Sequence, residues 1–198
     1  KSSAASDVYK RQIVASFLFG LGLFTIINLE LNLFTGKIGY INKSNYIEIL
    51  ITLIGNTIGV NVMAFLMKQT RLHSKLVEKS VPIVDNKLSD TYVSLFLLAV
   101  CCGMLMFIAV ATFKKQPNIL GTLAVFLCVS VFILAGFEHC IANIGLFTLG
   151  VVGLGGAVDW TMMPLHMLIA TIGNIIGGSI LLGLPVFLSL IHISEPTR

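Results

Sequence analysis

Charge is what this sequence is poorest in. Of its 198 residues only 11% are Asp, Glu, Lys or Arg, while 56% are hydrophobic, and the mean hydropathy is +0.95. Soluble chains carry roughly a quarter charged residues, so a soluble domain and a disordered chain are both excluded. The net charge of +4 is small and lies between apolar runs, which leaves no basic face for nucleic acid. Cysteine is scarce as well. Cys101, Cys102, Cys128 and Cys140 all sit inside apolar stretches and form no CxxC pair, so neither a disulfide framework nor a zinc knuckle is indicated. Glu138, His139 and Cys140 put three ligand types side by side. Consecutive residues of a helix point in different directions, so they make no three-ligand metal site. No cofactor motif accompanies them, and no enzyme is expected.

What is present is a series of long uncharged runs: Ile13–Leu29, Ile49–Met67, Thr91–Phe113, Gln116–Phe137, a Gly-rich piece Ile144–Val158, and Trp160–Phe187. A helix needs about 20 apolar residues to cross the hydrocarbon of a bilayer. Four runs reach that length, and two are short or interrupted, near Glu30 and after His139. The chain therefore reads as an all-α polytopic membrane protein. Lys68–Asp90 reads as a polar loop. Irregular backbone at membrane depth survives only where protein or water surrounds it, and paired broken helices point to a transport site. Gly55-Asn56-Thr57-Ile58-Gly59 recurs 118 residues on as Gly173-Asn174-Ile175-Ile176-Gly177. With three spans in each half, the halves would insert in opposite orientations, as an inverted repeat. Glycines four apart also let helices approach closely.

The two ends read differently from the middle. Asp7–Gln12 can be encoded as GATGTGTATAAGAGACAG, and Leu188–Ile193 by the reverse complement of the same string. That string resembles a transposon sequencing adapter. Residues 1–12 and 188–198 are accordingly expected to be adapter read-through, leaving residues 13–187 as the native part of the membrane domain.

Ionisable residues at membrane depth are costly and functional by default. Glu138 and His139 end a 22-residue uncharged run, and His is the side chain that changes charge near neutral pH. Asn143 lies four residues beyond and can share the same lining. Thr35 and Gly36 occupy the first break, where a hydroxyl can donate to an anion or to His139. Phe19, Leu23, Leu33, Phe34 and Phe132 read, on residue type alone, as core or lipid-facing.

LFTG (Leu33–Gly36), GFEHCIAN (Gly136–Asn143) and TIGNIIGG (Thr171–Gly178) resemble the signature segments of the formate/nitrite transporter family, in order and spacing, over most of residues 13–187. The resemblance implies an aquaporin-like protomer of six helices, assembled as a homopentamer, with one pore per protomer. It implies that the first helix and the end of the sixth are missing here. Thr35 matches the threonine of the broken second helix, His139 the central pore histidine, Asn143 the asparagine after it, and Asn174 the sixth-helix asparagine. Glu138 precedes the histidine in the same motif, and Phe19, Leu23, Leu33, Phe34 and Phe132 match the apolar constrictions. Two departures bear on substrate: Gly121 stands where many members carry a lysine 15 residues before the GFEH glycine, and Asn32 where an acidic residue precedes LFTG.

The implied activity is passage of small monovalent anions of weak acids across the cell membrane. Formate and nitrite come first and hydrosulfide is the alternative within the family. An anion pays a large desolvation cost in an apolar ring, which it escapes by taking a proton from His139 and crossing as the neutral acid. Thr35 and Asn143 would steady it. The expected partners are these anions, protons and the lipid bilayer. A structural subunit and a metal-dependent membrane enzyme are the alternatives from other classes. The breaks are expected at Asn32–Lys37 and Glu138–Ile144.

Overall fold

A computed structural model of the chain describes residues 2–154 and 160–194. Residues 155–159 and 195–198 lie outside that description, and with them the end of the Ile144–Val158 run and the last residues of the C-terminal adapter reading. The described residues are helical throughout, joined by short turns. The elements are α1 (Ser2–Asn28), α2 (Phe34–Lys37), α3 (Tyr46–Lys68), α4 (His73–Leu88), α5 (Tyr92–Lys115), α6 (Ile119–Leu134), α7 (Cys140–Leu154), α8 (Met163–Ile175) and α9 (Leu184–Ser194), with a π-helical stretch Ile176–Gly183 between the last two. Helix α1 runs without interruption from Ser2 through Gln12 into the apolar run.

Among the described residues, three continuous helices are long and apolar enough to cross a membrane: Tyr46–Lys68, Tyr92–Lys115 and Met163–Ser189. Their ends carry ordinary stop and start chemistry. Thr91 Oγ1 accepts the Ser94 N–H at the start of α5, and Lys114 and Lys115 sit in its last turn, where the helix dipole favours cations. Asn118 Oδ1 takes two free N–H groups at the start of α6. Because α3 and α5 cross in opposite senses, the loops around Lys37 and Lys115 lie on one side, and α4 with the start of α8 on the other.

Helix α5 is the axis of the bundle. It packs against α6, α8 and the π-helical stretch. Lipid is as apolar as leucine, so packing rather than hydrophobic expulsion holds such helices together, and small residues permit it. A Cβ on Gly173 would lie 2.5 Å from Ala99 Cβ, and one on Gly177 only 2.0 Å from Val100 O. The matching Gly55 and Gly59 on α3 have nothing within 4 Å. The close approach expected of both glycine pairs is thus made within this chain by the second alone.

The segment read as a polar loop contains α4. Its inward stripe is His73, Leu76, Val77, Ser80, Val81, Val84 and Leu88, with Val84 fully buried against α7. That is helical spacing, hidden by five Lys/Arg across the segment and by Pro82 inside the helix.

The internal repeat is closer than the sequence motif suggested. Helices α1 and α6 end at Asn28 and Leu134, and α2 and α7 begin at Phe34 and Cys140, an offset of 106 residues at both boundaries. Each ending is a Schellman turn. In the first, Leu31 N–H donates to Ile26 O and Glu30 N–H to Ile27 O. In the second, Phe137 N–H donates to Phe132 O and Gly136 N–H to Ile133 O. The turning residues are the two with positive φ among those described, Glu30 at 53° and Gly136 at 69°. The breaks therefore occupy Leu29–Leu33 and Ala135–His139, about three residues before the positions expected from the motifs. The physical reason is that LFTG and GFEHCIAN straddle the restart of each helix, where Phe34 and Cys140 find acceptors for their N–H groups.

Candidate functional site

Those acceptors are the repeated asparagines. Asn56 Oδ1 accepts from Phe34 N–H (2.9 Å), and Asn56 Nδ2 donates to Asn32 O (2.9 Å). Asn174 Oδ1 accepts from Cys140 N–H (2.9 Å), and its Nδ2 donates to Glu138 O (2.8 Å) and to Ala99 O on α5 (2.8 Å). One amide bridges each break and satisfies backbone that lipid could not. Asn174, expected among the pore residues, is fully buried with its amide committed to Cys140, Glu138 and Ala99, so it holds the break in shape. Asn56 does the same work in the first half. It was visible in the repeated motif, but its task was not, because nothing in the sequence pairs it with Phe34.

The repeat makes Leu33 and His139 equivalent residues, each just before a restarting helix. His139 Nδ1 accepts the N–H of Ala142 (3.2 Å) and so caps α7. With Nδ1 accepting, the neutral ring carries its proton on Nε2. Nε2 lies 2.9 Å from Thr35 Oγ1, which leaves the Thr35 hydroxyl proton free to point elsewhere. Thr35 and His139, 104 residues apart in the chain, thus tie the helix that restarts after the first break to the second break. Thr35 and His139 are 1% and 5% exposed.

Apolar side chains flank the pair. The Phe132 ring lies 5.6 Å from the His139 ring, centroid to centroid, and Phe19 meets Phe132 edge-on at 5.8 Å. Leu23, Phe132 and the partly buried Leu33 belong to one cluster with Met106 and Val125. A cavity of about 440 Å³ reaches Leu23 and Leu33 from the side of Glu30, Lys37 and Lys114. Phe34 departs from the expected constriction. It packs in a second cluster with Ile38, Ile49, Leu95 and Cys140, against which Leu33 also rests.

Glu138 faces a different group. Its Oε2 accepts from Asn143 Nδ2 (2.5 Å) and from Lys87 Nζ (2.8 Å), with His166 Nε2 at 3.4 Å. The Asn143 amide is thereby directed at Glu138, not at the Thr35–His139 pair. Lys87 sits on the last turn of α4, beside its buried stripe, and its side chain is 12% exposed. The sequence signal for it is a lysine beside the helically spaced apolar residues of a charged segment. A lysine thus stands beside Glu138, brought there by α4. Gly121 itself has no room for a side chain, since a Cβ there would lie 2.1 Å from Gln116 O. Cys140 packs with Phe34 while Glu138 faces Lys87, so the three adjacent ligand types diverge.

Comparison with known proteins agrees with this architecture. The family model described as formate/nitrite transporter matches residues 2–188. The "Formate-nitrite transporter" of Plasmodium vivax is 29% identical over 197 residues, covering 88% of this chain and 62% of the relative. The nitrite transporter NirC of Escherichia coli is 27% identical over 192 residues, covering 90% and 71%. Among solved structures, an FNT family ion channel superposes with a TM-score of 0.77 at 26% identity, covering 90% of this chain and 77% of that one. A pentameric formate channel with formate bound gives 0.76 at 22% identity, covering 91% and 83%, and supports the fold alone. The chain spans less than two thirds of the length of the Plasmodium relatives. With a matching model over nearly its whole length and the paired broken helices in place, this chain belongs to the formate/nitrite transporter family.

Proposed function

We propose that this chain forms the pore of a channel for small monovalent anions of weak acids, formate or nitrite first, and that His139 relays a proton to the anion in transit. The observation that carries the reading is the buried Thr35–His139 bond between the second break and the helix that restarts after the first, beside an apolar cluster of Phe132, Leu23 and Leu33 that Phe19 joins edge-on. An anion cannot cross such apolar flanks without a large desolvation cost, and a neutral acid can. The ring takes a proton at Nδ1, giving up the bond from Ala142. It then yields the Nε2 proton to the anion along the Thr35 hydroxyl. The acid crosses, ionises beyond the apolar side chains, and the ring recovers its tautomer through water. Lys87 neutralises Glu138, so the nearby carboxylate does not repel the approaching anion.

The relatives named for formate and nitrite transport support the choice of substrate class, and hydrosulfide is a weak acid of the same kind. A homopentamer in the cell membrane, with the Lys37 and Lys114 side in the cytoplasm, completes the reading. The test is a liposome flux assay on the full-length protein with formate, nitrite and hydrosulfide in parallel. Saturable, proton-coupled uptake of at least one is expected. Absence of uptake of all three from correctly folded protein refutes the reading.

A further inference from the structure

His166 plays no part in the Thr35–His139 pair, yet it is 3% exposed, buried near the start of a membrane helix. A buried ionisable group at such a position is costly without a partner or a task. It stands in the first turn of α8, with Phe147 of α7 edge-on at 5.0 Å. Its Nε2 lies between two neighbours, 3.4 Å from Glu138 Oε2 and 3.5 Å from Asn143 Nδ2. The two contacts need opposite states of one nitrogen. Unprotonated, Nε2 accepts from the Asn143 amide; protonated, it donates to Glu138.

Among the described residues, the charged or titratable groups facing it are Glu138, from the second break, and Lys87, from α4. Lys87 and Glu138 cancel formally. A proton on His166 therefore changes the cluster from neutral to one positive charge. The cluster lies one residue along the chain from His139, toward the face of α4 and the start of α8.

We propose that His166 is a specificity-determining residue for anion capture: by gaining or losing a proton it sets the charge of the Lys87–Glu138 cluster, and so the affinity for anions entering from the α4 side. This is separate from proton delivery by His139, and it rests on the anion-pore reading above. The cost of burying a third ionisable group beside an ion pair is then understandable, since a fixed pair has constant charge and the triad does not.

The test uses full-length protein in liposomes. The KM for formate is measured against the pH on the α4 side, since formate stays ionised between pH 5.5 and 8. The wild type should show KM falling as pH falls, on the order of tenfold, the effect of one unit charge about 10 Å away at an effective dielectric near 20. His166→Gln should hold KM at its alkaline, high value throughout, and His166→Lys should hold it low throughout. A merely structural role would weaken both variants alike and keep the slope. A wild-type slope in His166→Gln overturns the proposal. A second measurement works even if no anion is transported. In ¹⁵N-histidine NMR of the same liposomes, the signal missing from His166→Gln should change from the imidazole to the imidazolium form over the pH range of the flux assay. A ring fixed in one state across that range overturns the proposal whatever the flux assay gives.

Discussion

At the scale of single residues, the two halves of the repeat make paired comparisons possible. Glu30 and Gly136 hold equivalent positive-φ turns, but only glycine does so without a steric cost, which is about 1–2 kcal/mol for other L-residues. Glu30→Gly is therefore expected to stabilise the protein by about 1 kcal/mol, read as a higher unfolding temperature in detergent. No change or a fall would mean that the Glu30 side chain contributes an interaction of its own. Lys87 and Glu138 form a buried pair, and removing one partner of such a pair costs about 3–5 kcal/mol because the other charge is left uncompensated. Lys87→Met should lower both stability and anion flux, and adding Glu138→Gln should recover much of the stability. If the double variant is no more stable than the single, the pair is not what holds α4 in place. The roles of Thr35 and His139 were open to expectation from the sequence because a family motif marks them. Those of Asn56 and Lys87 were not, since their meaning lies in contacts across 22 and 51 residues of chain.

At the scale of elements, the long spans were legible because membrane helices advertise themselves by run length, and α3 and α5 fall close to the runs read for them. The break positions were legible only to within about three residues. A Schellman turn is announced by glycine at Gly136, but glutamate holds the same turn at Glu30, and no compositional signal marks it. Helix α4 was missed because its charge outweighed its periodicity. The two glycine pairs give a sharper element-level test. Gly173→Ala drives a methyl group into the backbone of α5 and is expected to destabilise this chain by about 1–3 kcal/mol. Gly55→Ala meets open space and should be neutral or slightly stabilising through helix propensity. Thermal unfolding of both variants in detergent decides it, and equal losses would show that the α5–α8 approach is not specially tight.

At the scale of the whole molecule, the fold is two copies of one design, each a helix broken by a Schellman turn and restarted under an asparagine bridge. Facing each other, they place a leucine and a histidine in equivalent positions. The asymmetry is functional in the proposed reading, because one copy supplies the apolar step and the other the proton. The proton step makes the flux pH-dependent: the relay draws one proton per anion from solution, so proton-coupled uptake should rise toward the acid side. The measurement that tests this most directly is formate uptake into liposomes by full-length wild type and His139→Ala, each across pH 5 to 8. The account predicts acid-stimulated uptake in the wild type and its loss in His139→Ala, with folding intact by circular dichroism. Full uptake without pH dependence in His139→Ala would contradict the relay and leave the pore a simple size filter.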